Sequence, residues 1–511
     1  MQSATPPRSR TLTLPHVVAI IVCVTLAAAF LFLAQERRIA GEWGYALDDS
    51  WIYATMARNL ATGHGFAFNP NEPVAGATGP LYTFILAFFY LLFHEVIWSA
   101  KIFGILCHTG AGVAVYVTAT ALFPGRRLLP LLTSLLVITS PPLLWGMLSG
   151  MEIPLYLLLV CAGLACYVRS RFLLAVLFWS IGVWVRPDGL FLLALGLIGT
   201  PKQVARRVLV AAPILLAYFG FNHWIGGHWM PQTVGVKAHF GLDLVGRTWN
   251  MVREWGALWG VPYRPTDTLE EPIVFLPLLL LGAVIALRRW PVFALYAIGF
   301  PLVLSLFRVH SASQKRYILY VIPFAMLLSA IALDFLARKW AGRRAISITA
   351  GAAALCLVWQ GFLVPPKALN YAWNVQNINK MQRLLGDFAK AATQEGDVIA
   401  VNDIGAIGYF SGRYVVDLMG LISPQRTLPE NLRRYRPKLL IVFLTWFKDY
   451  ERYDPKSGNY MFFDADSTHR YELLAGIELN HNTICASDRM TAYVRLGPND
   501  PSPKQRWLYR F

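Results

Sequence analysis

Apolar runs of membrane length recur along this chain with short basic clusters between them, and that alternation leaves few folds open. A run of roughly 18 to 22 apolar residues, wound as a helix, crosses the hydrocarbon core of a bilayer. Eleven spans can be drawn, at 14–34, 99–122, 128–148, 152–168, 172–186, 188–200, 207–225, 272–287, 290–307, 317–337 and 345–364, of which the pair 172–186 and 188–200 is short. With 56% hydrophobic residues and a mean hydropathy of +0.46, the 511-residue chain departs from soluble globular composition. A polytopic α-helical membrane protein is expected.

The net charge of +17 does not call for a nucleic-acid partner. The cations fall at Arg126-Arg127, Arg169 and Arg171, Lys202, Arg206 and Arg207, Arg288-Arg289, and Arg338, Lys339, Arg343 and Arg344. Spaced in this way between spans, they mark cytoplasmic loops. Arg8 and Arg10 place the N-terminus on the same side, and because the first run is long for a signal h-region and many further spans follow, it is read as an uncleaved anchor rather than a signal peptide. The six cysteines show neither a disulfide framework nor zinc spacing.

One apolar run, Pro80 to Phe93, has only 14 residues. It is too short to span, and crossing there would invert every later basic cluster, so it is expected to lie in the membrane interface. Residues 50–62 are expected as a second, more polar helix beside it, capped by Asp49. Interfacial helices thus occupy about 50–93. Beyond Pro365 the apolar runs shorten to strand length, as in Asp397–Val401, Tyr414–Leu418, Lys438–Leu444 and Met490–Leu496, after a helix at 373–394. Two domains follow: a membrane module at 1–365 and a C-terminal extracytoplasmic α/β domain at 366–511.

This topology gathers chemistry-bearing residues on the outer face. Asp48 and Asp49 follow the first span, where a carboxylate can serve as general base and a pair can hold a divalent cation. Glu152 stands between two spans in SGMEIP, an expensive place for an ionisable group unless it functions. Lys237, and Arg316 with Tyr317, offer cations and a hydroxyl just outside spans, suited to a phosphate. Arg186 in RPDG can bind substrate or pair with Asp188 across the turn. His64, His228, His239 and His310 lack metal-ligand spacing; His64, in the first outer loop, is kept as a substrate contact. Asn402-Asp403 ends a strand ahead of glycines, but no GxGxxG fingerprint is present.

DDSWIYATMARNL, GHGFAFNP, TGPLYTFILA, SPPLLWGMLSGMEIPLYLLL, VRPDGLFLLA, PQTVGVKA and RYILYVIP together resemble bacterial membrane glycosyltransferases of the GT-C superfamily. That class includes protein mannosyltransferases, lipid A aminoarabinose transferases and arabinofuranosyltransferases. The resemblance implies a GT-C helical bundle and inverting transfer of a sugar from a polyprenyl-phosphate donor. The acceptor would be a glycan, lipid or protein outside the cytoplasm, and the enzyme would sit in the bacterial inner (plasma) membrane with its C-terminal domain periplasmic or extracellular. It implies Asp49 as base with Asp48 adjacent, and Glu152 at a second acidic position that in some members joins a metal site. Members of the superfamily differ in metal dependence: Asp48, Asp49 and Glu152 are the candidate ligands for a divalent metal (Mg, Mn or Ca), and no other cofactor is expected. Lys237 matches a family lysine, although Gln232 and Val234 replace the asparagine and phenylalanine of its motif. Trp43, Trp51, Phe66 and Phe68 are candidates to pack the sugar or lipid. The rival reading is a transporter or flippase of lipid-linked glycans, which predicts internal hydropathy repeats that the chain does not display.

Overall fold

The computed structural model describes residues 13–126, 128–232, 244–262, 270–306, 315–450, 452–454, 459–463 and 469–509. Its first part is helical: α1 (Leu14–Ala40), α2 (Asp49–Ala61), α3 (Pro80–Phe93), α4 (Ile97–Leu122), α5 (Leu128–Ile138), α6 (Pro141–Leu148), α7 (Ile153–Tyr167) and α8 (Phe172–Val185). There follow α9 (Gly189–Leu197), α10 (Pro201–Gly226), α11 (Leu244–Leu258), α12 (Phe275–Ala286), α13 (Pro291–Leu304), α14 (Ile322–Ala341) and α15 (Ala345–Ile378).

Each of the eleven expected spans overlaps a helix. Among the described residues, five helices are long and apolar enough to cross a membrane by themselves. A sixth is counted if the pair α5 and α6, bent by 57°, acts as one span. The bend follows from Pro141-Pro142, which interrupts helical hydrogen bonding after Ser140. Five further apolar helices, α3 among them, have only 10–17 residues.

The apolar helices pack around buried polar ties. Lys101 of α4 donates to Glu36 of α1 at 2.6 Å and to the Tyr371 hydroxyl of α15 at 3.0 Å, and Tyr371 donates to the Leu148 carbonyl at 2.9 Å. These bonds fix the first span, the fourth helix and the end of α6 to one another.

The module boundary expected at 365/366 falls inside α15, which runs unbroken through Pro365 and Pro366. Beyond the prolines the helix turns from one-sided to nearly full burial, with Tyr371, Asn374, Val375 and Asn377 all enclosed. That packing outweighs a proline penalty of about 3 kcal/mol. At 34 residues the helix is roughly 50 Å long, well beyond a bilayer core of ~30 Å, and its far end leads into the tail.

A π-helical turn at Asn379–Arg383 leads into α16 (Leu384–Ala392). The tail continues with β1 (Val398–Val401), α17 (Gly405–Ser411), β2 (Tyr414–Asp417), α18 (Leu428–Tyr435) and β3 (Leu439–Val442). It ends with β4 (Arg452–Asp454), β5 (Asn459–Phe463), β6 (Arg470–Glu478), β7 (Arg489–Leu496) and β8 (Arg506–Tyr509). The sheet order is β2-β1-β3-β7-β6-β5-β4, with β8 beside β6. β1 pairs in parallel with both β2 and β3, while β3, β7, β6, β5 and β4 pair antiparallel. The chain therefore leaves β1 in one direction and returns on its other side, opening a crevice at the carboxyl end of β1, where Asn402, Asp403 and Gly405 stand.

Candidate active site

α2 lies between the helical module and the tail. Its Ser50 hydroxyl donates to the Ser149 carbonyl at 2.8 Å, and Tyr82 of α3 donates to the Gly150 carbonyl at 2.9 Å. Gly150 has a φ of +79°, and a Cβ there would overlap the Tyr45 ring, so the turn requires glycine. Pinned in this way, the turn delivers Glu152 beneath α2, where Tyr53 faces it one helical turn after Asp49.

Glu152 is 1% exposed and meets Arg186 at 2.6 Å. Arg186 also donates through Nε and Nη2 to Asp188, at 2.7 Å for the shortest contact, and lies over the rings of Tyr317 and Tyr320. Its donors are taken up inside the protein by the turn and by Glu152. The expectation that Arg186 contacts substrate meets a guanidinium already enclosed.

Arg316 is arranged differently. It is 6% exposed, donates through Nη2 to Asp49 at 2.6 Å and to the Tyr317 hydroxyl at 3.0 Å, and overlies the Tyr317 ring. Its Nε and Nη1 are buried without a hydrogen-bond partner among the described residues. Burial opposes the charge, but Asp49 and Tyr317 more than offset it and hold the group protonated. The Asp49 side chain keeps 35% exposure and so has access to both the cation and the outside.

Asp48, next in the chain, has another fate. It is 4% exposed, and its carboxyl accepts from the amides of Gly405 at 2.7 Å and Ala406 at 2.8 Å. It also hydrogen-bonds the Asp403 carboxyl, which accepts from Gln382 at 2.8 Å. Burial and then Asp403 push Asp48 well above the usual carboxylate range, while burial lifts Asp403 to about 6. Two acids joined by a hydrogen bond share a proton. The expected cap is also corrected: Asp48, not Asp49, occupies the N-cap position, and its side chain makes no cap bond because the tail amides hold it. Asp49 sits in the first turn, where the helix dipole favours a negative charge.

The remaining expected residues lie elsewhere. His64 is exposed at the far end of α2, roughly 20 Å along the helix from Asp49. Lys237 lies outside the described residues. Trp51, Phe66 and Phe68 are buried, Trp51 among Tyr45, Tyr409 and Phe410, so they do not offer a face to a sugar. Trp43 packs edge-on against Trp98. Asp48, Asp49 and Glu152 do not form a metal cluster: each has a separate partner, and no group of three or more metal-ligating side chains occurs among the described residues.

Glu270 was not anticipated. It is 3% exposed and lies 2.9 Å from Lys367 of α15 and 3.5 Å from Lys315, the neighbour of Arg316. Glu271 beside it accepts from Ser140 at 2.5 Å and Gln360 at 2.7 Å. Two acids directly before an apolar span carried the same signal as Glu152.

Two crystal structures of ArnT from Cupriavidus metallidurans are similar to this chain, with TM-scores of 0.55 for the apo state and 0.50 for the form bound to undecaprenyl phosphate. At 11% and 13% identity, the match covers 93% of this chain and 97% of each of those chains. The chain has their fold, a helical membrane fold. Residues 370–493 match the model of a domain of unknown function, DUF8728. No curated protein matches the chain in sequence.

Proposed function

We propose that this chain is a membrane glycosyltransferase that moves a sugar from a polyprenyl-phosphate donor to a hydroxyl on an acceptor outside the cytoplasm, with inversion. The observation that carries the reading is the Asp49–Arg316 pair: a part-exposed carboxylate against a buried guanidinium with two N–H groups uncommitted among the described residues. The shared fold with a protein that binds undecaprenyl phosphate supports a lipid-phosphate donor.

The chemistry needs little else. The donor is a phosphodiester, and its lipid phosphate leaves as an anion without prior protonation. Nε and Nη1 of Arg316 supply donors for that phosphate, and the guanidinium neutralises the charge that grows as the sugar–oxygen bond breaks. A phosphate engaging Arg316 competes with Asp49 for the cation and frees the carboxylate. Asp49 then takes the proton of the acceptor hydroxyl while its oxygen attacks the anomeric carbon from the opposite face. Asp48 is unsuited to that task, being buried with both carboxyl oxygens engaged by tail amides. The Glu152–Arg186–Asp188 group and Tyr53 form the floor of the site.

The test is sugar transfer from a panel of radiolabelled polyprenyl-phosphate sugars by the purified protein. Asp49→Asn is expected to lower turnover about 10²- to 10⁴-fold while carrier-phosphate binding persists. A wild type that transfers no sugar but moves lipid-linked glycan across proteoliposomes replaces this reading with transport.

A further inference from the structure

The two sides of α2 have different neighbours. Asp49 and Tyr53 occupy one side, toward Arg316 and Glu152. Trp51 and Arg58 occupy the other, toward α17 of the tail. Trp51 packs at 4.7 Å from the Phe410 ring and 4.9 Å from Tyr409. Arg58 donates to the Tyr409 carbonyl at 3.1 Å and lies 4.3 Å from that ring. Further along the same contact, Asn69 exchanges two hydrogen bonds of 2.9 Å with the backbone of Val415. Asp48 closes the contact at its catalytic end, accepting from Gly405 and Ala406. A Cβ at Gly405 would overlap the carbonyl oxygen and carboxylate of Asp48, so the approach tolerates only glycine.

We propose that the tail is a positioning element for the base: Gly405, Ala406 and Asp403 grip Asp48 and thereby fix the first turn of α2, where Asp49 stands against Arg316. The inference rests on the reading of Asp49 as base. A helix of 13 residues is marginal in isolation, and this one follows a loop after the first span. Its placement therefore comes from what it packs on. An attacking group misplaced by about 1 Å loses on the order of 10² in rate, so a grip on the adjacent residue controls turnover without touching substrate. The sheet supplies the grip at the carboxyl end of β1, where its strand order reverses. In α/β sheets that place commonly holds a ligand. Here a side chain of the protein's own membrane module fills it.

The experiment uses the full-length protein in nanodiscs and the variants Gly405→Ala, Asp403→Asn and Asp403→Leu. Gly405→Ala is expected to lower kcat about 10- to 100-fold, with KM for the lipid donor within about twofold of wild type. Hydrogen exchange across residues 50–55 should quicken in the same variant. Asp403→Asn keeps a carbonyl that accepts from Asp48 and should retain turnover, whereas Asp403→Leu should lose it; this pair decides the matter if Gly405→Ala folds poorly. Wild-type kcat and unchanged exchange in Gly405→Ala would overturn the proposal. A wild type without any transfer would overturn the assignment of Asp49, and the exchange result then judges the grip separately.

Discussion

Two buried arginines of the helical module make an instructive pair. Arg186, in the turn after α8, spends its donors on Asp188 and Glu152 and is covered by two tyrosine rings. Arg316, in the segment before α14, is nearly as buried but gives only Nη2 to protein acceptors among the described residues. Burying an N–H without an acceptor costs about 1–3 kcal/mol, so two such groups on one side chain are retained against a gradient. A closed arginine is architecture. On the proposed reading, one that keeps donors in reserve is arranged for an anion.

The comparison breaks most sharply if the two arginines are removed separately. Arg186→Ala leaves Glu152 and Asp188 facing each other without their cation, and it should cost about 3–5 kcal/mol of stability, read as a lower melting midpoint and poor recovery from detergent. Arg316→Ala should spare the melting midpoint, since Asp49 is part-exposed and can rehydrate, but lower turnover about 10²- to 10³-fold. Equal effects on stability would end the distinction between them.

A smaller effect concerns pH. Folding raises Asp403 from its ordinary 3.8 to about 6, so the folded state holds this proton more tightly than the unfolded chain does. Its contribution, of order a few kcal/mol, is complete below the unfolded value and fades as pH climbs through about 6. The melting midpoint should therefore fall between about pH 4 and pH 7, and Asp403→Asn should flatten that part of the profile. Smallest of all, Tyr82→Phe removes the donor to the Gly150 carbonyl and should cost about 1 kcal/mol. Turnover should change little, because Ser50 still holds the turn.

Legibility in the sequence divides along the same line between local and distant causes. The apolar helices were readable because an apolar run of given length has one solution in a bilayer, and α3 occupies the 14 residues drawn for it, whereas the amphipathic α11 lies where no helix was drawn. Pro365-Pro366 misled for a related reason: the rule that prolines end helices is local, whereas the burial of Tyr371 and Asn374 that carries α15 onward is not. The acidic pair could be located but not divided. What separates Asp48 from Asp49 is a pair of amides 357 and 358 residues away. Asp403 appeared only as a strand end, since nothing nearby reveals what fills its crevice. Glu270 and Glu271 were within reach of the rule applied to Glu152 and were passed over.

The span of 357 residues between Asp48 and its tail amide also sets a clock. At a synthesis rate of about 5–20 residues per second, roughly 20 to 70 seconds separate the appearance of the acidic pair from that of its holder. For that interval the nascent chain can insert its first spans with α2 still unsecured. The tail thus secures a segment made long before it, so a chain cut short ahead of Gly405 is released without the amides that hold Asp48.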